Sequence, residues 1–108
     1  MKRTYRDQIE CLEAIGGYVV SHVPGDWERI EVKAKIFDGG LVMTESTFKS
    51  VEAGKPKAFT IDDAETSVEF NDCFLQLSDL VGDRESGPFK ACLYVLNRDG
   101  HYRVDYEY

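Results

Sequence analysis

The side chains of this 108-residue chain that could do chemistry are three cysteines, two histidines and a dense run of carboxylates. A metal site needs His, Cys, Asp or Glu clustered at ligand spacing. Cys11, Cys73 and Cys92 stand far apart without a C-x-x-C, and His22 and His101 form no H-x-x-x-H pair. Nucleophilic catalysis needs a nucleophile, a base and an orienting group held together. Cys11 and Cys73 sit in helical apolar patterns and Cys92 in an apolar strand, where a thiol is buried and inert. Ser21 and His22 are adjacent, but neighbours in sequence need not face one another, and there is no G-x-S-x-G. Neither a G-x-x-x-x-G-K-[ST] nor a G-x-G-x-x-G phosphate loop occurs. An acid–base pair such as Asp62 with Asp72 would need burial to split its pKa values, and the run around it is strongly hydrophilic. The sequence therefore predicts no catalytic residue, no metal, no cofactor and no enzyme activity.

The carboxylates remain. Asp and Glu outnumber Lys and Arg by 20 to 13, a net charge of −7, which argues against direct contact with nucleic acid. The excess is local. Residues 1–61 and 86–108 are balanced, while 62–85 carry Asp62, Asp63, Glu65, Glu69, Asp72, Asp79, Asp83 and Glu85 against Arg84 alone. Such a concentration sets up a negative field over one part of the surface. It serves either as a solvated helix face that aids solubility or as a docking surface for a cationic partner.

These residues are positioned by a single domain, since 108 residues leave no room for a second core of comparable size. With 43% apolar residues the chain can form a core without disulfide or metal. Tyr5, Ile9, Leu12, Ile15 and Val19 make a helical stripe interrupted by Gly16-Gly17, which mark close packing on a sheet, a kink or an early end. Pro24-Gly25-Asp26 stops this segment. Trp27 to Phe37 alternates as a strand with Ile30, Val32, Ala34 and Ile36 on its dry face, and Asp38-Gly39-Gly40 turns it into a second strand, Leu41 to Lys49. A loop over 52–57 leads to a short strand at Ala58–Ile61. Phe70, Phe74, Leu77 and Val81 predict a helix from about 71 to 82, capped by Asn71 or Asp72, with 62–70 open between helix and strand. A polar loop (83–88) and two strands, Phe89–Leu96 and His101–Tyr108, follow, joined by Asn97-Arg98-Asp99-Gly100. Tyr102, Tyr106 and Tyr108 share a face and are expected to pack in the core, as is Trp27. The expected architecture is α+β: a two-layer fold with an antiparallel sheet of four to five strands and two helices on one face.

Two stretches carry a likeness to a known family. The opening helix runs into Val23-Pro24-Gly25-Asp26-Trp27-Glu28-Arg29-Ile30, and the last strand reads Asp99-Gly100-His101-Tyr102-Arg103-Val104-Asp105-Tyr106-Glu107-Tyr108. In both places the chain resembles the YezG-like immunity proteins, small α+β antitoxins of bacterial polymorphic toxin and contact-dependent inhibition systems. That family has a helix leading to I-P-x-x-W and a strand, and ends near D-Y-x-Y. The residue-level likeness covers about a third of the chain; Pro88-Phe89 stands where the family often has tryptophan, and residues 38–70 show little that aligns. The resemblance implies an immunity protein that binds and neutralises a cognate toxin C-terminal domain, with a nuclease as the expected class, and no catalytic residues. The charge pattern supplies the expected mechanism: an acidic inhibitor steered to a cationic active site, with aromatic anchors slowing its release. The alternatives are an acidic adaptor or assembly protein for another basic partner, and a small enzyme or ligand binder using a pocket between sheet and helices. No apolar run is long enough to span a membrane. The odd, widely spaced cysteines and the lack of a signal core predict a cytoplasmic protein with reduced thiols, a monomer or weak homodimer.

Overall fold

A computed structural model describes residues 4–37, 40–50, 55–81 and 89–108. Its order is α1 (Gln8–His22), β1 (Arg29–Phe37), β2 (Leu41–Lys49), β3 (Lys57–Phe59), α2 (Ala64–Val81), β4 (Ala91–Asn97) and β5 (Tyr102–Glu107). The five strands form one antiparallel sheet in the order β3-β2-β1-β4-β5. This is the expected α+β class.

The alternation of β1 fixes the faces of the sheet. Ile30, Val32 and Ala34 are fully buried, while Arg29, Lys33 and Lys35 are exposed on the opposite side. Register carries that division across the sheet: Val32 lies opposite Ser46 and Tyr94, and Ala34 opposite Thr44 and Cys92. Thr44 Oγ1 donates to Asn71 Oδ1 on α2 at 3.1 Å, and Tyr94 Oη donates to the Leu12 carbonyl on α1 at 3.4 Å. Both contacts leave the sheet on the Val32–Ala34 face, so both helices cover that face.

The two helices run antiparallel, and three contacts along their seam show it. Gln76 Oε1 accepts from the Tyr5 N–H at 2.9 Å, Tyr18 Oη donates to Glu69 Oε2 at 3.2 Å, and His22 lies near enough to Asp63 to help lower its pKa. The core beneath contains Leu12, Ile15, Val19, Ile30, Val32, Phe70, Phe74, Leu77, Phe89 and Tyr94. All three cysteines are buried, the Cys73 thiol donates to Tyr5 Oη at 3.4 Å, and burial pushes the Cys11 and Cys92 thiols up to about 12, far from thiolate chemistry.

Several expectations need correction. Ile9 sits on the predicted apolar stripe yet is 56% exposed; the buried line of α1 runs through Cys11, Leu12, Ile15 and Val19, and Ile9 falls beside it, in phase with Glu13 and Val20. The short strand is Lys57–Phe59 rather than Ala58–Ile61. The second helix starts at Ala64, not near 71. Tyr102 and Tyr108 share the inner face with Tyr106 but are 38% and 43% exposed, because β5 is the sheet's outer edge and α1 stops short of it. Trp27 is buried as expected, with the Arg98 guanidinium 5.2 Å from its ring centre. Gly100 takes a φ of +95°, the left-handed value that the turn before β5 requires. Most of the first hairpin turn (Asp38 and Gly39), the first half of the 52–57 loop, and Gly82 to Pro88 lie outside the described residues.

Gly16 and Gly17 neither kink nor end α1. A Cβ on Gly16 would stand 2.9 Å from Tyr94 Oη, whereas one on Gly17 would meet nothing within 4 Å. Only the first glycine is required for the helix to lie this close to β4.

Candidate functional site

The acidic segment folds into α2 and the turn before it. Asp63 caps the helix: its carboxylate accepts from the Thr66 N–H at 2.9 Å and from the Thr66 hydroxyl. Asn71 and Asp72, the caps expected from sequence, lie inside the helix. The Thr66 bonds, hydroxyl first, hold the Asp63 carboxyl below its usual range. A depressed folded pKa means stability that is complete above the unfolded pKa and is lost as pH falls through the folded one. Asp63→Ala is therefore expected to lower the melting temperature at neutral pH. That deficit should shrink to nothing once the medium is acidic enough to protonate Asp63 in the wild type. A melting series against pH checks this; a constant deficit at every pH would show that the cap acts without its charge.

Within α2, positions 65, 69, 72 and 79 recur at spacings of four, three and seven, which puts Glu65, Glu69, Asp72 and Asp79 on one stripe. The stripe is not uniform. Glu65 and Asp79 are exposed. Glu69 is half-buried at the helix seam, where it accepts from Tyr18 Oη, and Asp72 accepts from Gln76 Nε2 at 2.7 Å. Asp62 precedes the helix, is exposed, and accepts from Thr60 Oγ1 at 2.7 Å. Asp62 and Asp72 are separated by more than two helical turns, about 14 Å, so they form no acid–base pair. Asp83 and Glu85 lie outside the described residues.

Tertiary structure adds what the linear run did not contain. Neither helix has a lysine or arginine. α1 contributes Glu10 and Glu13 to the layer that already holds the α2 carboxylates, with Asp7 at its N-cap. The cations gather on the sheet instead: Arg29, Lys33, Lys35, Lys49 and Arg103 all project from the uncovered face, with Glu31, Glu45, Asp105 and Glu107 among them. The molecule thus has an acidic helical layer and a mixed-charge sheet face. In the sequence this separation is hidden, because β1 and β2 lie between the two helices.

Phe70 and Phe74 on α2 face the core, and the large exposed apolar side chains on this helix are Val68 (58%) and Leu80 (42%).

Among the described residues three depressions could hold a small ligand. A groove of about 480 Å³ runs between α1 and the β4–β5 end of the sheet, lined by Gly16, Gly17, Val20, Tyr94, Tyr102 and Arg98 among others. One of about 280 Å³ lies at Lys33, Lys35, Leu93 and Glu107, and one of about 260 Å³ lies between α2 and the β2–β3 edge, at Thr44, Phe59, Ser67 and Phe70. None contains a histidine. His22 Nδ1 lies 2.8 Å from the Tyr18 carbonyl, and His101 is exposed beside Asp99, whose carboxylate raises its pKa. Among the described residues no three His, Cys, Asp or Glu side chains gather in a way that could hold a metal ion, and no helix is long and apolar enough to cross a membrane. The site that stands out is thus a charged surface, and it can bind and orient a partner electrostatically. Compared with known proteins, the chain matches no family model and no curated protein.

Proposed function

We propose that this chain is an inhibitory partner protein of the immunity type. It would bind a cognate toxin domain, a nuclease by preference, through the acidic helical layer and so cover a cationic active site. The observation that carries this reading is the segregation of charge: two helices without a lysine or arginine, side by side on one face of the sheet. A nuclease cleft must attract phosphates, so it concentrates Lys and Arg. A surface of opposite sign is drawn to it faster than diffusion alone allows and competes with the nucleic acid for the same cations. Val68 and Leu80, exposed on α2 beside the carboxylates, supply apolar contact area. The resemblance at the helix-to-strand entry and at the last strand supports the same role.

The test is co-expression with the toxin domain encoded beside this chain, followed by rescue of growth and isolation of the complex. The informative variant is Glu65→Lys/Asp79→Lys. It spares Asp63, which caps the helix, Glu69, which bonds Tyr18, and Asp72, which accepts from Gln76. Its association rate should fall by roughly ten- to a thousandfold, with a flatter dependence on salt, while its melting temperature stays close to that of the wild type. Rescue and affinity unchanged by these reversals would overturn the assignment of this surface. Absence of rescue by the wild type, with a stable complex formed on some other basic protein, would favour an adaptor.

A further inference from the structure

We infer that a second copy of this chain docks along β5, extending the sheet across a two-fold axis. Among the described residues β5 is an outer strand of the sheet and pairs only with β4. The Asn97 N–H donates to the His101 carbonyl at 2.9 Å, which fixes the parity of the ladder. Residues 101, 103, 105 and 107 turn their backbone groups toward β4, and antiparallel alternation leaves those of Tyr102, Val104 and Tyr106 on the open side. An unprotected row of this kind is a template for another strand.

The sequence of β5 is complementary to itself when reversed. With Val104 on the axis, Arg103 stands opposite Asp105 of the second copy and Asp105 opposite its Arg103. His101 meets Glu107, and Tyr102 meets Tyr106 on the other face. The cross-strand pairs are therefore Arg with Asp, His with Glu (an ion pair when the imidazole is protonated), aromatic with aromatic, and valine with valine, combinations that stabilise antiparallel partners. Each of the pairs formed by residues 102, 104 and 106 exchanges both backbone bonds. Within one chain Arg103 and Asp105 already lie 3.5 Å apart on the outer face, so the ion pairs need no new side-chain orientation to exchange partners. The opposite edge, made by β3 and the part of β2 that β3 leaves unpaired, lacks this property. Reversed about Ala58, β3 sets Lys57 against Phe59, and reversed about Met43, β2 sets Glu45 against Leu41, with no ion pair in either.

The helical layer provides the remaining area. Ile9, Glu13, Gly16 and Val20 recur at four, three and four along α1, and the last three line the groove beside β5. Ile9 (56% exposed), Val20 (47%), Tyr102 (38%) and Tyr108 (43%) leave apolar surface along this margin. A two-fold axis perpendicular to the sheet keeps both helical layers on one side, so α1 of each copy closes the other's groove. Glu13 and Arg98 give that groove one charge of each sign. This docking surface does not depend on the toxin-binding reading, and it leaves α2 uncovered.

The experiment is sedimentation equilibrium of the full chain from micromolar to submillimolar concentration. The expected result is reversible association to twice the 12.3 kDa mass. Val104→Pro removes an outward N–H at an edge position that tolerates proline. It should weaken dimerisation by about tenfold or more, with the circular dichroism spectrum retained as proof of folding. Arg103→Asp and Asp105→Arg should each weaken self-association severalfold, and an equal mixture of the two should recover it, because only the mixed pair restores opposite charges. A wild type that stays monomeric throughout the range would overturn the inference. So would a dimer indifferent to all three substitutions, or a mixture that associates no better than its components.

Discussion

Phe74→Ala is expected to destabilise the fold by about 3–5 kcal/mol, a large part of the 5–15 kcal/mol typical of a domain. Phe74 is fully buried at the middle of α2, with its ring edge-on to Phe70 at 5.4 Å between centroids. The cost has two parts: the lost transfer energy of the ring, and the cavity left between a helix and a sheet that are both fixed by other contacts. α2 is tied to α1 through Glu69 and Gln76, and to the sheet through Asn71. At its C-terminal end the Val81 carbonyl accepts from Tyr108 Oη at 3.0 Å. With both ends held, the helix cannot sink to fill the void. Urea unfolding followed by circular dichroism measures the change. Val68→Ala on the exposed side of the same helix serves as the reference and should shift stability by no more than about 0.5 kcal/mol. A loss of less than about 1 kcal/mol for Phe74→Ala would mean that α2 does not pack as described.

Gly16→Val should cost about 2–3 kcal/mol through overpacking. The nearest atom to a new Cβ is Tyr94 Oη at 2.9 Å, and Tyr94 is only 1% exposed, so its ring has nowhere to swing. The adjacent substitution has the opposite sign. Gly17→Ala meets nothing within 4 Å and should stabilise by about 0.5–1 kcal/mol from helix propensity alone. Removing the obstructing hydroxyl gives the decisive control. In a Tyr94→Phe background, where only a long 3.4 Å bond to the Leu12 carbonyl is lost, Gly16→Val should recover most of its deficit. Equal effects at the two glycines, or no coupling to Tyr94, would remove the case for a close approach of α1 to β4 at this point.

Where a segment had one dry and one wet face, its pattern was readable. β1 alternates because the sheet is covered on one side only, and its turns carry glycine where the left-handed conformation is needed. Phe70, Phe74, Leu77 and Val81 mark the buried line of α2 for the same reason. The start of that helix is hidden in the sequence because Thr66 to Phe70 also alternates; in the helix Val68 turns outward and only Phe70 reaches the core. Asp63 decides the matter, since its carboxylate satisfies the free Thr66 N–H and caps the helix eight residues before Asn71, the earlier of the two expected caps. For the candidate surface, composition located the negative segment but could not distinguish a capping carboxylate from an exposed one. Asp63 and Glu69 turn out to hold the structure together, and Glu65 and Asp79 face solvent.

The sequence by itself determined the class of fold, the dry face of each clearly two-faced element and the sign of the protein's field, because these depend on side-chain period and net charge, which are local or additive quantities. Only the tertiary structure decided which charges stand together and which aromatic rings stay exposed. Setting α1 beside α2 merged two acidic stretches separated by the β1–β2 hairpin, and placing β5 at the margin left Tyr102 and Tyr108 partly uncovered. Both outcomes follow from strand order, which no window of residues encodes, since it is fixed by how several elements together bury one common face.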